Sequence, residues 1–308
     1  MWFARALASR TLILLGVLLA VYAVADLLPG DPVRLAMGPS ASPDDVEARR
    51  EALGLDRPLL VRFGGWLAGL VTGNLGTTIR GQSVQDLLGD RLGATALLSG
   101  GAFLVVLVVC IVWALMWAIR PGGRLERASE VTSSVLVATP EFVLGTALIV
   151  LFALVLGMLP ATTIMDADGD LASASMLVLP VLALALPHAG WQVRVTRAAL
   201  KEAASLPHVE QARLDGYTER QVFVRHVLPL AAPTVAASMA TLVGTLLGGA
   251  VVVETLFNYP GAGGLVAGSL RSRDTTLLVS LAALIGVVVM VALVVADLIR
   301  FRALRGRR

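Results

Sequence analysis

Residues 202–229 read EAASLPHVEQARLDGYTERQVFVRHVLP. This polar stretch stands between two apolar runs, one ending near Val193 and the next resuming at Leu230, in a chain whose mean hydropathy is +0.80. Its internal order is that of two short helices. Pro207 suits a first helical turn, where its missing N–H has no partner to lose, and HVEQARLD follows as about two turns. Gly216 breaks that helix, because glycine takes a left-handed turn without a steric penalty. Thr218-Glu219-Arg220-Gln221 restarts one with a capping-box pattern, a hydroxyl at the cap and an amide three residues on. Val222, Phe223 and Val227 give the second helix an apolar side, and Pro229 marks the entry to the next apolar run. Such a loop either presents a rigid helix pair to another protein or lies as an amphipathic element on a lipid surface.

The rest of the chain sets the surroundings of this loop. Of 308 residues, 56% are hydrophobic and 15% charged, against roughly 45–50% and about 25% in soluble domains. Crossing a hydrocarbon core of ~30 Å takes about 20 helical residues. The runs on that scale are Thr11–Leu28, Ala94–Ile119, Val131–Leu159, Leu177–Val193, Leu230–Val253 and Leu277–Ile299. The fold class is therefore an all-α integral membrane protein with six transmembrane helices. The fourth run is short and holds Pro180 and Pro187, whose freed carbonyls need shelter among neighbouring helices or in a wet path. Arg5 and Arg10, the run TLILLGVLLA and Ala23-Val24-Ala25 imitate a secretory signal; the reading adopted is an uncleaved first span.

Arginine places the loops. Arg120, Arg124 and Arg127 cluster in the 120–130 segment, and Arg194, Arg197, Lys201, Arg213, Arg220 and Arg225 follow the fourth span. The tail FRALRGRR is basic too, whereas PATTIMDADGDLASAS (160–175) has three aspartates and no Lys or Arg. The positive-inside rule puts both termini and the 120–130 and 194–229 loops in the cytoplasm. Residues 1–28 are then a cytoplasmic N-terminus and first span, 29–93 an extracytoplasmic segment, and 94–308 a five-span core. Segments longer than about 60 residues translocate largely regardless of charge, so the arginines of 29–93 do not oppose this. Within it, Ser42-Pro43-Asp44-Asp45 reads as a helix start, with Arg49 and Arg50 near the helix end and Gly54 as the stop.

Several functions are excluded. The net charge of +3 and pI near 9.6 do not form one basic face, because the arginines are scattered through loops. A phosphate-cradling loop ends in Gly-Lys-Ser/Thr, but the only lysine, Lys201, lies between Leu200 and Glu202. Neither G-x-S-x-G nor H-E-x-x-H occurs, so no catalytic residue is expected. His188, His208 and His226 are far apart and suggest no metal site, and the lone Cys110 permits no intrachain disulfide. Inside the apolar runs, Gly244 and Gly248 share one helix face and predict a close helix contact, within the chain or with another subunit. Glu141, beside Pro140, is read as the only carboxylate deep in a span. It is expected either to line a translocation path, favouring positively charged cargo, or to bond a helix neighbour.

Glu210-Gln211-Ala212, then Gly216, then Leu228-Pro229 resembles the cytoplasmic EAA loop of ABC importer permeases. The literal Glu202-Ala203-Ala204 does not fit, since His208 stands where glycine is needed. LLPGDPV (27–33), LGLDRPLLVRFGGWLAGLVTGNLGTT (53–78), TPEFVLG (139–145) and GGAVVVETLFNYPGAGGL (248–265) resemble one family in the same order. It is the first permease subunit of peptide and nickel ABC importers. The chain departs from it at Glu141, where a small residue is usual, and in its basic tail.

The resemblance implies a MetI-like permease of a bacterial inner membrane with a cytoplasmic coupling helix. Glu210, Gln211, Ala212, Asp215 and Gly216 would couple it to an ATPase, with Glu210 and Ala212 at the contact. It implies as partners a second permease, two ATP-binding subunits or domains and an extracytoplasmic substrate-binding protein. ATP and Mg would sit on those partners, with no cofactor on this chain and peptides or nickel chelates as cargo. The rival from another class is an ion-coupled secondary transporter, which needs intramembrane relay groups and repeated halves with broken helices. A plain membrane anchor predicts nothing for the hinge spacing of the loop.

Overall fold

Four-residue periodicity turns the apolar runs into helices with an inside and an outside. On α5 (Val84–Ile119), Leu98, Ala102, Val106 and Cys110 are buried, while Leu104, Val108, Ile111 and Leu115 stay exposed. Both faces are apolar, which suits a helix with protein on one side and hydrocarbon on the other. The computed structural model describes residues 2–27, 30–119, 123–164 and 173–305. Among the described residues the only β feature is an isolated bridge between Thr77 and Ser83.

Five helical segments among the described residues are long and apolar enough to cross a membrane: 7–27, 84–118, 174–204, 219–256 and 275–299. Their bounds correct the expected ones. The helix expected from Ala94 already begins at Val84, and α8 (Val178–Ala204) continues past Val193 into the polar loop. Pro187 lies inside α8 without ending it, and both Pro187 and Pro180 are buried. The remaining expected span, Val131–Leu159, is not one helix. It consists of α6 (Arg124–Ala138) and α7 (Glu141–Leu148), the latter continued by a π-helical turn at Ile149–Val155. The two halves meet at 104°. Pro140 is the cause: its ring keeps Thr139 extended, at φ −94° and ψ 120°, and it cannot donate to the turn before it. Among the described residues there are thus five such spans, or six if the bent pair is one. Of the expected segments, Leu28, Arg120, 165–172 and 306–308 lie outside the described residues.

The helices form two compact units. One comprises residues 1–95 and 260–287, so it combines the N-terminal third with a late segment of the chain. Here α1 (Trp2–Leu27) is followed by α2 (Pro32–Met37), α3 (Pro43–Ala52) and α4 (Leu59–Val71). The start of α3 is as expected: Ser42 Oγ accepts the Asp45 amide at 3.1 Å, and Gly54 closes the end at φ +64°. Asp31 caps α2 and pairs with Arg50 at 2.6 Å. Burial pushes its carboxyl up, but Arg50 and the amides of Val33 and Arg34 outweigh that and hold it below the usual carboxylate value. Tyr22 meets Phe63 edge-on and Phe63 lies tilted against Trp66, whose indole donates to Ser280 Oγ at 3.1 Å. After α12 (Gly263–Ser272), Asp274 caps α13 (Thr275–Arg305), accepting from the amides of Leu277 and Ile79. Burial pushes the Asp274 carboxyl up, only partly offset by those amides and Arg80.

The other unit, 96–259 and 288–308, is built around α8, which packs on α6, α7 and α11 (Leu228–Leu256). At Gly190 the backbones of α6 and α8 approach so closely that a Cβ would stand 3.0 Å from Ser133 O and Leu136 Cβ. Farther along, Gln192 and Ser238 close a reciprocal pair, Ser238 Oγ donating to Gln192 Oε1 at 2.8 Å. Such pairs satisfy polar groups that lipid cannot.

Candidate functional site

Past the end of α8 the chain turns back on itself without leaving its own core. Leu206 is extended (φ −73°, ψ 141°), as a residue before proline prefers, and Pro207 opens α9 (Pro207–Leu214). Gly216 stands at φ +86°, and the Tyr217 amide reaches back to Ala212 O at 3.2 Å, closing the helix in a left-handed turn. Thr218 then begins α10 (Glu219–Val222) with the full capping box. The polar loop therefore has the helix–glycine–helix form its sequence predicts. Pro229 stands in the first turn of α11 (Leu228–Leu256), as expected, but the chain does not break there. A π-helical turn at Phe223–Val227 carries α10 directly into α11. The widened turn sits just before Pro229, whose missing N–H and ring disfavour an ordinary α-turn there.

The inner side of the loop is anchored. Val209 and Ala212 of α9 join Ala199, Leu200 and Ala203 of α8 and Val222, Phe223, Val227 and Ala231 in one buried cluster. Trp113 and Trp117 of α5 pack against it. Ala212 is 4% exposed. Its small side chain lets α9 lie close to its own chain, which corrects the expectation that it faces a partner. The outer side carries Glu210, Gln211, Leu214, Asp215 and Tyr217. Glu210 pairs with Arg213 at 3.0 Å, and Gln211 donates to Asp215 at 2.9 Å. Leu214 is 74% exposed, a large apolar side chain offered at the tip of a charged helix. The sequence reading passed over it, although it is the one large apolar residue on the polar side of α9.

A second group steadies the base of the loop. Glu126 of α6, its side chain only 5% exposed, accepts from Arg197 Nε at 2.9 Å and pairs with Lys201, both on α8. Arg197 also grips Glu130 through both terminal nitrogens. These cations serve as topology markers in the sequence, and nothing local shows that they converge on one buried carboxylate.

The family model described as "Binding-protein-dependent transport system inner membrane component" matches residues 110–306 of this chain. A companion model, "Binding-prot-dependent transport system membrane comp, N-term", matches residues 1–83. The chain belongs to this family. It is 30% identical over 292 residues to the oligopeptide transport system permease protein AppB of Bacillus subtilis (strain 168), covering 93% of this chain and 92% of that one. It is equally 30% identical over 311 residues to the "Probable D,D-dipeptide transport system permease protein DdpB" of Escherichia coli (strain K12), covering 94% and 92%. A crystal structure of an amino acid ABC transporter matches with a TM-score of 0.55 at 18% identity, over 71% of this chain and 94% of that one. That is a likeness of fold.

In this transport-system membrane component the intramembrane residues regroup. Glu141 is the first residue of α7, at the bend, rather than midway along a continuous span. Its Oε1 lies 3.3 Å from His188 Nε2 of α8, within ion-pair reach but outside hydrogen-bond geometry. A Cβ on Gly249 of α11 would stand 2.7 Å from the same oxygen. The expected Gly244–Gly248 contact divides within the chain. Gly244 meets Val289 of α13, where a Cβ would stand 3.1 Å from a methyl group, while Gly248 has open space. Nor is the half-buried Glu141 the only carboxylate within the apolar helices: Glu254, near the end of α11, is buried, at 1% exposed. The expected span stopped one residue short of it. Its charge and, foremost, burial push the nearby Tyr259 phenol up to about 12.

Proposed function

We propose that this chain is the transmembrane permease subunit of an ATP-driven importer for peptides or a related small solute such as a nickel chelate. A homologous second permease, two ATP-binding subunits and an extracytoplasmic binding protein complete it in this reading. Hydrolysis, with its ATP and Mg, belongs to the partners. The family match and the oligopeptide and dipeptide names of the relatives support it, and they lend nothing to the ion-coupled alternative. Both termini and the 194–229 loop face the cytoplasm, and the open face at Gly248 receives a neighbouring subunit. Glu141 and Pro140 border the path.

The observation that carries the reading is the two-sidedness of α9. Val209 and Ala212 are locked into the membrane unit, while Glu210, Gln211, Leu214 and Asp215 stand outward. A helix welded to its spans on one side and free on the other transmits a rigid-body push; a flexible linker dissipates it. Leu214 supplies an apolar knob for a groove, and Glu210 meets a basic group across the contact.

The test is single cysteines at His208, Glu210, Gln211, Leu214 and Asp215 in a chain lacking Cys110, assembled with its partners. Crosslinks to the ATP-binding subunit at Glu210 and Leu214 are the expected result. Labelling of Leu214 by lipid-soluble reagents, with no crosslink at any position, would return the loop to a surface-lying role.

A further inference from the structure

We propose that the cavity at the bend of the broken span is a cation subsite, taking a primary ammonium group on the cargo; this rests on the reading of the chain as a peptide permease. The cavity, about 310 Å³, lies where α6, α7, α8 and α11 meet, and Thr139, Glu141, Phe142, His188, Trp191 and Val252 line it. Glu141 is placed to present a charge into it. Its side chain keeps 23% of its surface open, while Gly249 backs the same carboxylate so closely that no side chain fits between. Among the described residues no Lys or Arg lines the cavity, and the one cationic candidate beside Glu141 is His188, whose Nε2 is buried and makes no hydrogen bond there.

The walls suit the same ligand. Phe142 and Trp191, 54% and 53% exposed, line the same cavity as the carboxylate. A carboxylate and aromatic rings in one cavity attract an ammonium through charge and ring quadrupole, and repel an anion. A charge at this depth is tolerated only against water, a partner or a ligand. Among the described residues the carboxylate has a single imidazole beside it, set outside hydrogen-bond geometry. A lysine-bearing cargo provides the missing donors: its ammonium has three N–H groups, enough for Glu141 and the Thr139 hydroxyl oxygen in the same lining.

The experiment uses the complete importer in proteoliposomes with saturating binding protein, and the peptides Ala-Lys and Ala-(Nε-acetyl)Lys. The ratio of their uptake rates is compared between the unaltered chain and Glu141→Gln; the binding protein is the same in both, so its own preference cancels. The ratio of cationic to neutral uptake is expected to fall about tenfold in Glu141→Gln, the scale of one hydrogen bond to a charged group. Gly249→Ala, which forces the carboxylate aside, should lower it in the same sense. If Glu141→Gln fails to assemble, Trp191→Ala, altering an exposed ring, gives the same readout with a few-fold fall. An unchanged ratio, both peptides falling by one factor, overturns the subsite and leaves the peptide reading standing. Uptake of neither peptide by the unaltered complex overturns the peptide reading and the subsite with it.

Discussion

At Gly216 nothing lies within 4 Å of where a Cβ would be, yet φ is +86°. A side chain there meets no steric wall, so its cost is conformational alone. That separates two substitutions: Gly216→Val should strain the turn by roughly 1–2 kcal/mol or more, whereas Gly216→Asn should be milder, since asparagine tolerates the left-handed region. With partner subunits present, Gly216→Val is expected to hydrolyse ATP with reduced uptake per ATP, and Gly216→Asn to keep most of its coupling. Simultaneous measurement of both rates checks this; equal coupling in the two variants would deny the turn its role. Ala212 carries the opposite lesson. The triplet that holds it was legible in the sequence, but the side it faces was not. Alanine suits a close contact with a partner or with its own chain equally well, and only the packing of α9 on α8 chose between them.

Among the elements, the bent pair α6–α7 and its neighbour α8 matter most. Hydropathy alone reads 131–159 as one span, because a moving average is blind to one proline. The bend is local chemistry at Thr139-Pro140, visible in the sequence as a residue-before-proline signal that the long apolar run outweighed. What ties α6, the first half of that pair, to α8 is Glu126. Glu126→Gln leaves Arg197 and Lys201 facing a neutral amide. The loss is expected to be on the order of 1–3 kcal/mol, below that for a fully buried pair because both cations keep part of their hydration. Thermal unfolding of the purified permease should show a lowered midpoint for Glu126→Gln. It should also show a smaller change for Glu130→Gln, whose carboxylate is 53% exposed. A larger effect at Glu130 would contradict the assignment of the anchor to Glu126.

At the scale of the whole molecule, the arginine-rich loops and the loop before α8, which has no Lys or Arg, predict one orientation. Asp44→Cys, on the exposed start of α3, should react with an impermeant thiol reagent added outside intact cells. His208→Cys, on α9, should react only after the membrane is opened. Both are made in a chain without Cys110, and the reverse pattern would invert the topology. The sequence by itself determined residence in the membrane, the two-helix loop with its glycine, and the start of α3. Each rests on interactions spanning no more than a few residues or on average composition: a cap reaches three residues, a proline acts on its own turn, and hydropathy needs no partner. Tertiary structure alone decided that Ala212 turns inward, that Gly244 and Gly248 part company, that Glu126 gathers Arg197 and Lys201, and that Glu141 meets His188 and Gly249. Those contacts join separate helices, most of them at positions tens of residues apart, and where helices cross depends on bends and shapes that no local pattern encodes.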